Sequence, residues 1–284
     1  MTSPARAALV TGCSSGIGRE TALVLAARGW TVYATARRPE SIADLEQSGC
    51  RILPLDVTDQ ASAAAAVDEV VRREGAVGVL VNNAGANEIG ATETVSIERV
   101  RAMFETNMFG MLRMCQLALP TMRARRWGRV INIGSMNGRF IFPAMGAYAA
   151  TKHAMEAFSD AMRYELRPYG VGVSLVAPGM VTTRFGHDAA EHRDTTPVDV
   201  GLDRFNREIA DVTLHWDSGP RRMLACTPRD VADRVVRAAE ARHPRARYRV
   251  APSAAVMLSL RRILPESAFA AVLRTQFPSP KPPR

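Results

Sequence analysis

The stretch Thr11-Gly12-Cys13-Ser14-Ser15-Gly16-Ile17-Gly18 decides the fold, because it connects a short apolar run to a helical pattern through a glycine-rich turn. Such a turn presents free backbone N–H groups at the positive end of the helix dipole, where a pyrophosphate binds well. Its spacing, GxxxGxG, differs from the usual GxGxxG and lacks the GK[ST] of a P-loop. Because glycines also end ordinary strands, the turn predicts a dinucleotide site only together with other features.

Short apolar, β-branched runs alternate with longer helical patterns along the chain, which is typical of parallel sheets built from βαβ units. Strands are expected near residues 7–11, 31–35, 51–55, 78–82, 130–134, 171–177 and 248–251, and long helices at 61–73, 97–126 and 147–169. No repeat and no Gly/Ser linker divides the chain. The sequence therefore predicts an α/β fold: a single Rossmann-type, doubly wound domain over residues 1–284, with about seven parallel strands and helices on both faces.

The regular pattern breaks at Pro178-Gly179, which opens a polar, irregular stretch that runs to about Thr227. A long insertion of this kind usually forms a lid or a binding loop, so a substrate lid is expected at about 180–227; a poorly ordered surface excursion is the alternative. A C-terminal amphipathic extension is expected at about 252–277. The Pro-rich tail at 278–284 is expected to be loose.

Composition and charge exclude several classes of protein. With 47% hydrophobic and 23% charged residues, the chain is not disordered or fibrous. The four cysteines are scattered, so neither a metal site nor a disulfide framework is expected. A spanning segment of about 20 apolar residues and a signal peptide are both missing, which predicts a cytoplasmic protein. The net charge of +9 comes from arginines spread over the whole chain, and no nucleic-acid partner is expected.

The end of the second predicted strand indicates which dinucleotide is preferred. Folds that bind NAD carry an acidic residue here, which bonds the ribose 2′-OH. This chain has Arg37 and Arg38 instead. Because arginine pairs bidentately with phosphate, NADP(H) is expected to be preferred over NAD(H), although both residues could simply be a solvated helix start.

The sequence also contains three residues that are suited to acid–base chemistry: Ser135, Tyr148 and Lys152. Ser135 follows the predicted strand 130–134 and so lies at the carboxyl edge of the sheet, where open α/β sheets bind ligands. Tyr148 and Lys152 are four residues apart, which places them on one face of a helix. A nearby ammonium favours the phenolate, so Lys152 is expected to bring the pKa of Tyr148 towards neutrality.

The ordered motifs resemble those of the short-chain dehydrogenases/reductases over most of the chain, up to about Thr183. They are TGxxxGIG at 11–18, Asp56-Val57 after the third strand, Asn82-Asn83-Ala84-Gly85, Asn107, Ser135, the YxxxK of Tyr148 and Lys152, and Pro178-Gly179 with Thr183. Each motif is weak alone, but the ordered set is specific.

The resemblance implies a role for each matching residue. Tyr148 would be the general acid or base, Ser135 would hydrogen-bond the substrate oxygen, and Lys152 would bond the nicotinamide ribose and lower the Tyr148 pKa. Asn107 would hold a water of the proton relay, unless it is only a helix-kink asparagine. The expected cofactor contacts are Gly12, Ser14, Ser15, Gly16, Ile17, Gly18, Arg37, Arg38, Asp56 (adenine), Val57, Asn83, Ala84, Gly85, Tyr148, Lys152, Pro178, Gly179, Val181 and Thr183, the last two at the carboxamide.

The substrate side is expected to be large and apolar. The segment 136–147 is rich in Phe and Met, and the predicted lid adds Phe185, Phe205, Trp216 and Met223, although these could instead pack the lid or a subunit contact. The sequence predicts an NADP(H)-dependent oxidoreductase for a bulky hydrophobic ketone or aldehyde and its alcohol. The segment 32–37 and the extended C-terminus resemble, more weakly, the corresponding parts of the 17β-hydroxysteroid and retinol dehydrogenase branch of this family.

Other interpretations stay open. A polyketide-like ketone is a possible substrate, since a family does not fix one. A dinucleotide-binding sensor without turnover is the alternative function, and intact Ser135, Tyr148 and Lys152 argue against it. An Arg-rich segment at 258–264 could instead bind a membrane surface. A homodimer is expected, because the helices at 100–123 and 147–167 resemble those that pair in this family.

Overall fold

The computed structural model describes residues 6–183, 185, 186, 189, 200–215 and 219–280. Seven strands of this described part form one parallel sheet: β1 (Ala7–Val10), β2 (Thr31–Ala36), β3 (Arg51–Pro54), β4 (Val79–Asn82), β5 (Gly128–Ile133), β6 (Val171–Pro178) and β7 (Arg247–Val250). Their order across the sheet is β3-β2-β1-β4-β5-β6-β7. This confirms the predicted fold, and the strands lie within two residues of the positions expected from the sequence.

The helices are α1 (Gly16–Ala27), α2 (Gln60–Glu74), α3 (Ile97–Phe104), α4 (Gly110–Ala124), α5 (Gly146–Leu166), α6 (Val200–Leu214), α7 (Pro228–Glu240), α8 (Pro252–Ile263) and α9 (Glu266–Gln276). A π-helical turn, Glu105–Phe109, joins α3 to α4. Short 3₁₀ segments lie at Pro39–Ser48, Met136–Gly138, Arg167–Tyr169 and Gly219–Leu224. No described helix has the length and hydropathy that crossing a bilayer requires.

The core lies on both faces of the sheet. Alternate residues of β1 face opposite sides, so Ala8 and Val10 pack under α1 and α7, whereas Ala7 and Leu9 pack under α2, α4 and α5. Both faces are therefore covered, which explains why β1 and β4 read as continuous apolar runs rather than alternating ones. Local signals set the helix starts: the Asp59 side chain accepts from the Ser62 N–H before α2, and Thr227 with Asp230 forms a capping box before α7.

The expectation of an irregular stretch between Pro178 and Thr227 is wrong over Val200–Leu214, where the chain forms α6. Charged residues interrupt the apolar pattern, but Phe205, Ile209 and Ala210 share one helix face and pack against Ile89. Part of the predicted lid, including Trp216, lies outside the described residues. The extension at 252–277 is helical as expected, whereas residues 278–280 have no regular structure and 281–284 lie outside the described residues.

Candidate active site

The glycine turn after β1 packs tightly against the loop that follows β4. Gly12 (φ +70°) and Gly16 (φ +57°) adopt left-handed backbone conformations, which glycine takes without strain. A Cβ on Gly12 would lie 2.9 Å from the Ala84 Cα, and one on Gly18 would lie 2.3 Å from the Asn83 Nδ2. The turn therefore needs glycine at positions 12 and 18, because a side chain at either position would push the turn away from the loop after β4 or from its own backbone.

Thr11 and Asn83 hold the turn to that loop through reciprocal hydrogen bonds. The Thr11 Oγ1 accepts from the N–H groups of Asn83 (3.0 Å) and Ala84 (2.9 Å). In return, the Asn83 Nδ2 donates to the carbonyl oxygens of Thr11 and Gly12, each at 2.9 Å. Thr11 was part of the quoted motif, but its positioning role was not predicted, because it depends on a contact between distant parts of the chain.

A cleft of about 530 Å³ opens at the carboxyl edge of the sheet. It lies where β1 is flanked by β2 on one side and β4 on the other, the usual ligand site of such sheets. Most of the predicted site residues line it: Gly12, Ser14, Ser15, Gly16, Ile17, Arg37, Asp56, Val57, Asn83, Ala84, Gly85, Ser135, Tyr148, Lys152, Pro178, Gly179, Val181 and Thr183. Gly18, Arg38 and Asn107 do not.

Only one of the two predicted phosphate ligands lines the cleft. Arg37 lies exposed at its wall, directly after β2. Arg38 is the residue before the 3₁₀ segment, and its carbonyl oxygen accepts from the Ser41 hydroxyl at 2.7 Å. The structure thus separates the pair: Arg37 lines the cleft and Arg38 directly precedes the next segment, so the predicted cofactor contact of Arg38 stays a prediction.

Asp56 is held as a carboxylate at the same end of the cleft. Burial alone would raise its pKa, but hydrogen bonds from the Thr58 hydroxyl (2.7 Å) and N–H (2.9 Å) oppose that effect. The positive charges of Arg37 and Arg113 add to it, so the pKa of Asp56 lies below its usual value. Its acceptor oxygens are therefore available to a polar ligand group.

Ser135, Tyr148 and Lys152 come together at the other end of the cleft. Ser135 follows β5, and its Oγ accepts from the Asn137 N–H at 3.1 Å. Tyr148 lies in the first turn of α5 and is hydrogen-bonded to Ser135. Lys152 follows one turn later, with its Nζ 5.6 Å from the Tyr148 ring centroid. A serine donor, a phenol and a buried ammonium are thus positioned around one volume.

The pKa values differ from the sequence expectation. Burial raises the pKa of Tyr148 to about 12, and the hydrogen bond with Ser135 only partly opposes this. Burial also lowers the pKa of Lys152 to about 8. The expected movement of the Tyr148 pKa towards neutrality is therefore wrong for this structure, because desolvation by burial outweighs the opposing hydrogen bond with Ser135. Tyr148 is a protonated phenol at neutral pH.

Asn107 lies in the π-helical turn and is fully buried. Its Oδ1 accepts from the Ala86 N–H (2.7 Å), and its Nδ2 donates to the Ala86 carbonyl (2.9 Å) and to the Thr151 hydroxyl (3.0 Å). Thr151 in turn donates to the Tyr148 carbonyl at 2.7 Å. The side chain of Asn107 thus connects the loop after β4 to α5, and the water that it was expected to hold stays a prediction.

Apolar side chains form the remaining wall, next to Tyr148. Phe142 and Phe277 contact each other with ring centroids 5.0 Å apart, and Phe185 lies 6.1 Å from the Tyr148 ring. Of the other predicted lid residues, Phe205 packs in a separate cluster and Met223 is exposed. Phe277 was not predicted as a cleft residue; its only sequence signal was its place at the end of the amphipathic extension.

No group of three His, Cys, Asp or Glu side chains in the described part of the chain forms a metal site. The four cysteines are buried and unpaired.

Comparisons with known proteins agree with this geometry. A short chain dehydrogenase family model matches residues 6–194. The chain is 34% identical to a 3-ketodihydrosphingosine reductase of Bacteroides thetaiotaomicron, over 88% of this chain and 90% of that protein. It is 33% identical to an NADPH-dependent 3-dehydrocapnine reductase of Ornithobacterium rhinotracheale, over 92% and 93%. A crystal structure of a short-chain dehydrogenase from Streptomyces avermitilis superimposes with a TM-score of 0.81, at 32% identity and 97% coverage of both chains. This chain belongs to the short-chain dehydrogenase/reductase family.

Proposed function

We propose that this oxidoreductase of CH–OH groups uses NADP(H) to interconvert a bulky hydrophobic ketone, or aldehyde, and the corresponding alcohol. The observation that carries the proposal is one continuous cleft with the glycine turn and Arg37 at one end and Ser135, Tyr148 and Lys152 at the other. A cofactor laid along it would bring its reactive ring next to the acid–base residues.

The residues present fit a dinucleotide. Gly12 and Gly18 let the turn before α1 pack against the loop after β4, and the turn lines the cleft with Gly12, Ser14, Ser15, Gly16 and Ile17. Backbone N–H groups of this turn would hold the pyrophosphate, and Asp56 would accept from the adenine. Lys152 would bond the ribose of the nicotinamide, and Val181 and Thr183 would meet the carboxamide. When bound, the nicotinamide supplies or accepts the hydride.

The preference for NADP(H) is inferred from Arg37. Arg37 directly follows β2 and lines the cleft, and no carboxylate lines the cleft at the described end of this strand. Arginine can bind a 2′-phosphate bidentately. The name of the 3-dehydrocapnine reductase states that it is NADPH-dependent, which supports the same assignment here.

The residues of this chain are arranged to move a proton. In ketone reduction, Ser135 would donate to the carbonyl oxygen and stabilise the charge that develops there. Tyr148 would then give its proton to that oxygen, and its raised pKa ensures that the phenol carries a proton at neutral pH. In alcohol oxidation, Tyr148 would take the proton back. The Lys152 ammonium stabilises the phenolate that forms after transfer.

The apolar wall supports a hydrophobic substrate. Phe142, Phe185 and Phe277 line the cleft beside Tyr148, and an apolar substrate would displace water from them. The name of the 3-ketodihydrosphingosine reductase describes the reduction of a ketone, which supports a ketone rather than an aldehyde for this chain.

The test combines binding with turnover. Fluorescence titration should give a lower Kd for NADPH than for NADH, and a panel of bulky ketones should contain substrates that consume NADPH. Tyr148→Phe should keep NADPH binding and lower kcat by about 10²- to 10⁴-fold. Tight NADPH binding without turnover of any ketone would favour the sensor interpretation, and turnover that is indifferent to Tyr148 would contradict the acid–base role of this residue.

A homodimer through α4 and α5 also belongs to the proposal. Phe109, the last residue of the π-helical turn before α4, and Phe158, on α5, are large apolar side chains that the single chain leaves exposed. Sedimentation of the wild type should give a dimer, and Phe158→Glu should shift it towards the monomer because it buries a charge in the contact.

A further inference from the structure

The helical hairpin formed by α8 and α9 is attached to the apolar wall of the cleft. It follows β7, so α8 begins at the carboxyl edge of the sheet, where the cleft opens. The Ser253 Oγ, at the start of α8, accepts from the N–H of the cleft residue Met180 at 3.1 Å. Directly after α9, Phe277 lines the cleft and contacts Phe142, with ring centroids 5.0 Å apart. Both ends of the hairpin are therefore held against residues that line the cleft.

One apolar cluster extends from this wall to the turn of the hairpin. Phe142 of the wall and Phe269 of α9 are both buried in it, and Phe140 contacts each of their rings edge to face. Leu260 and Leu264, next to the turn between the two helices, pack against the same cluster. The cleft wall and the hairpin turn thus share one apolar interior.

The outer side of the hairpin leaves large apolar side chains in solvent. Val256 on α8 is 49% exposed, and Ile263, the last residue of α8, is 77% exposed. The 3₁₀ segment Gly219–Leu224 packs next to α8 and adds Met223, 83% exposed, and Leu224, 42% exposed. The outer face of a helix in a globular protein is normally polar, and neighbouring exposed apolar side chains mark an interaction site. These four side chains therefore indicate a surface that another structure covers.

Arginines accompany the exposed apolar side chains in both elements. The sequence is Arg-Arg-Met-Leu at 221–224 and Arg-Arg-Ile-Leu at 261–264. Arg222 and Arg262 are exposed. The whole extension, residues 252–277, contains three arginines and one acidic residue. Positive charge and exposed apolar groups thus occur together on a basic–apolar surface, which consists of Arg222, Met223, Leu224, Val256, Arg262 and Ile263.

This combination fits an anionic lipid bilayer. Anionic headgroups attract arginines, and apolar side chains enter the boundary between headgroups and acyl chains. Nucleic acid would pair with the arginines but would leave Met223 and Ile263 in water. A second copy of this chain, docked symmetrically on the same surface, would bring Arg262 close to its own counterpart, and the repulsion of like charges opposes that contact.

We infer that the basic–apolar surface docks on an anionic lipid bilayer and that the cleft takes its hydrophobic ketone from this bilayer. A ketone with a long apolar chain partitions from water into the acyl region. The apolar interior that begins at Phe277 and ends at the hairpin turn lies between the docked surface and the cleft. The docking is independent of the proposed function, whereas the source of the substrate rests on it.

Vesicle flotation of the full chain tests the docking without any substrate. The protein should float with vesicles of phosphatidylglycerol and phosphatidylcholine, and about 10-fold less with pure phosphatidylcholine. A double variant, Met223→Asp with Ile263→Asp, should reduce binding to the anionic vesicles by at least about 10-fold, because it removes the apolar contact and adds negative charge. Ile97→Asp is the matched control, since Ile97 is 58% exposed on α3, outside this surface, and binding should be retained.

A charge variant tests the role of the arginines. Arg262→Glu should lower binding to the anionic vesicles by about 5-fold or more and leave the weak binding to neutral vesicles unchanged. Arg101→Glu makes the same charge change at an exposed position of α3 and should retain the binding. Circular dichroism of each variant verifies that it is folded.

Turnover tests the source of the substrate. With NADPH and a long-chain methyl ketone carried in anionic vesicles, the wild type should react about 10-fold faster than the double variant. Both proteins should reduce a short, water-soluble ketone at equal rates, because the substitutions lie outside the cleft. Equal rates on the ketone carried in vesicles would overturn the bilayer as the source of the substrate.

Unchanged vesicle binding by the double variant, or equal wild-type binding to neutral and anionic vesicles, would overturn the docking and leave the oxidoreductase proposal standing. If the wild type binds no vesicles and the double variant dissociates a wild-type oligomer in sedimentation, the surface belongs to a second copy and the inference is overturned. Vesicle binding without turnover of any ketone would support the docking and remove the proposed function.

Discussion

The Nζ of Lys152 donates a hydrogen bond to the carbonyl oxygen of Ile133 at 2.8 Å, so the buried lysine of α5 is anchored to the end of β5. This bond holds the ammonium on the strand that leads into Ser135, and the same lysine lies 5.6 Å from the Tyr148 ring. One hydrogen bond thus fixes the relative position of the strand and the helix that supply the acid–base residues.

Removing this ammonium should stabilise the protein while stopping catalysis. Burial lowers the pKa of Lys152 from 10.5 to about 8, so the folded state disfavours the charge at neutral pH. Lys152→Met should raise the free energy of unfolding at pH 7 by about 1–3 kcal/mol, since one unit of pKa corresponds to about 1.4 kcal/mol and the lost Ile133 bond offsets part of the gain. Urea unfolding measures this, and a destabilised variant would contradict it.

The same pKa predicts a pH dependence with a definite sign. The unfolded chain binds a proton at Lys152 up to about pH 10.5, but the folded protein releases it above about pH 8. Stability should therefore rise between about pH 8 and 10.5 in the wild type relative to Lys152→Met. Ketone reduction should instead fall above about pH 8 as the ammonium is lost. A profile of kcat/KM that stays flat from pH 7 to 10 would be inconsistent with a charged lysine in the reaction.

Cofactor preference should depend on one arginine of the pair. Arg37→Ala should raise the Kd for NADPH by about 10- to 100-fold and leave NADH binding nearly unchanged, because a charge-assisted phosphate contact is lost. Arg38→Ala is the matched control, since Arg38 does not line the cleft. Fluorescence titration of both variants with both cofactors provides the comparison, and equal effects of the two substitutions would argue against the assignment to Arg37.

The sequence predicts the sheet well, because parallel strands covered on both faces form continuous apolar runs. The sequence also predicts that most of the site residues lie close together, because the carboxyl ends of parallel strands meet at one edge of the sheet. It could not show that Phe277 reaches the cleft, or that burial rather than Lys152 decides the pKa of Tyr148, because both depend on tertiary packing. Helix α6 was missed although Phe205 and Ile209 have the spacing of one helix face, because the polar stretch around them was interpreted as irregular.

A buried glutamate connects the Ser135 loop to the helix of Tyr148. The Glu156 Oε2 accepts from the Arg139 Nη2 (2.7 Å) and from the Arg247 Nε (2.8 Å), and only 7% of its side chain is exposed. Glu156→Ala should lower the free energy of unfolding by about 2–4 kcal/mol, because it removes the buried carboxylate that both guanidiniums share and leaves them only Asp160. Asp160 is a half-exposed partner of the same arginines, so Asp160→Ala should lower the free energy of unfolding by less than about 1 kcal/mol.

Thr11 should matter for the stability of the protein and for NADPH binding, as the glycines that follow it do. Thr11→Val keeps the shape but removes the acceptor for two N–H groups, so we expect a loss of about 1–3 kcal/mol in stability and weaker binding of NADPH. Thr11→Ser retains the hydroxyl and should restore most of both properties. Thermal unfolding and titration of the two variants side by side test the point; a valine variant as stable as the serine variant would count against it.

The central claim is that Tyr148 gives its proton to a ketone held beside a bound NADPH. The most direct measurement is single-turnover oxidation of NADPH by the wild type and by Tyr148→Phe, with both proteins saturated with cofactor and with the best ketone from the panel. The account predicts equal NADPH affinity and a rate at least about 10²-fold lower in the phenylalanine variant. Equal single-turnover rates in the two proteins would contradict it.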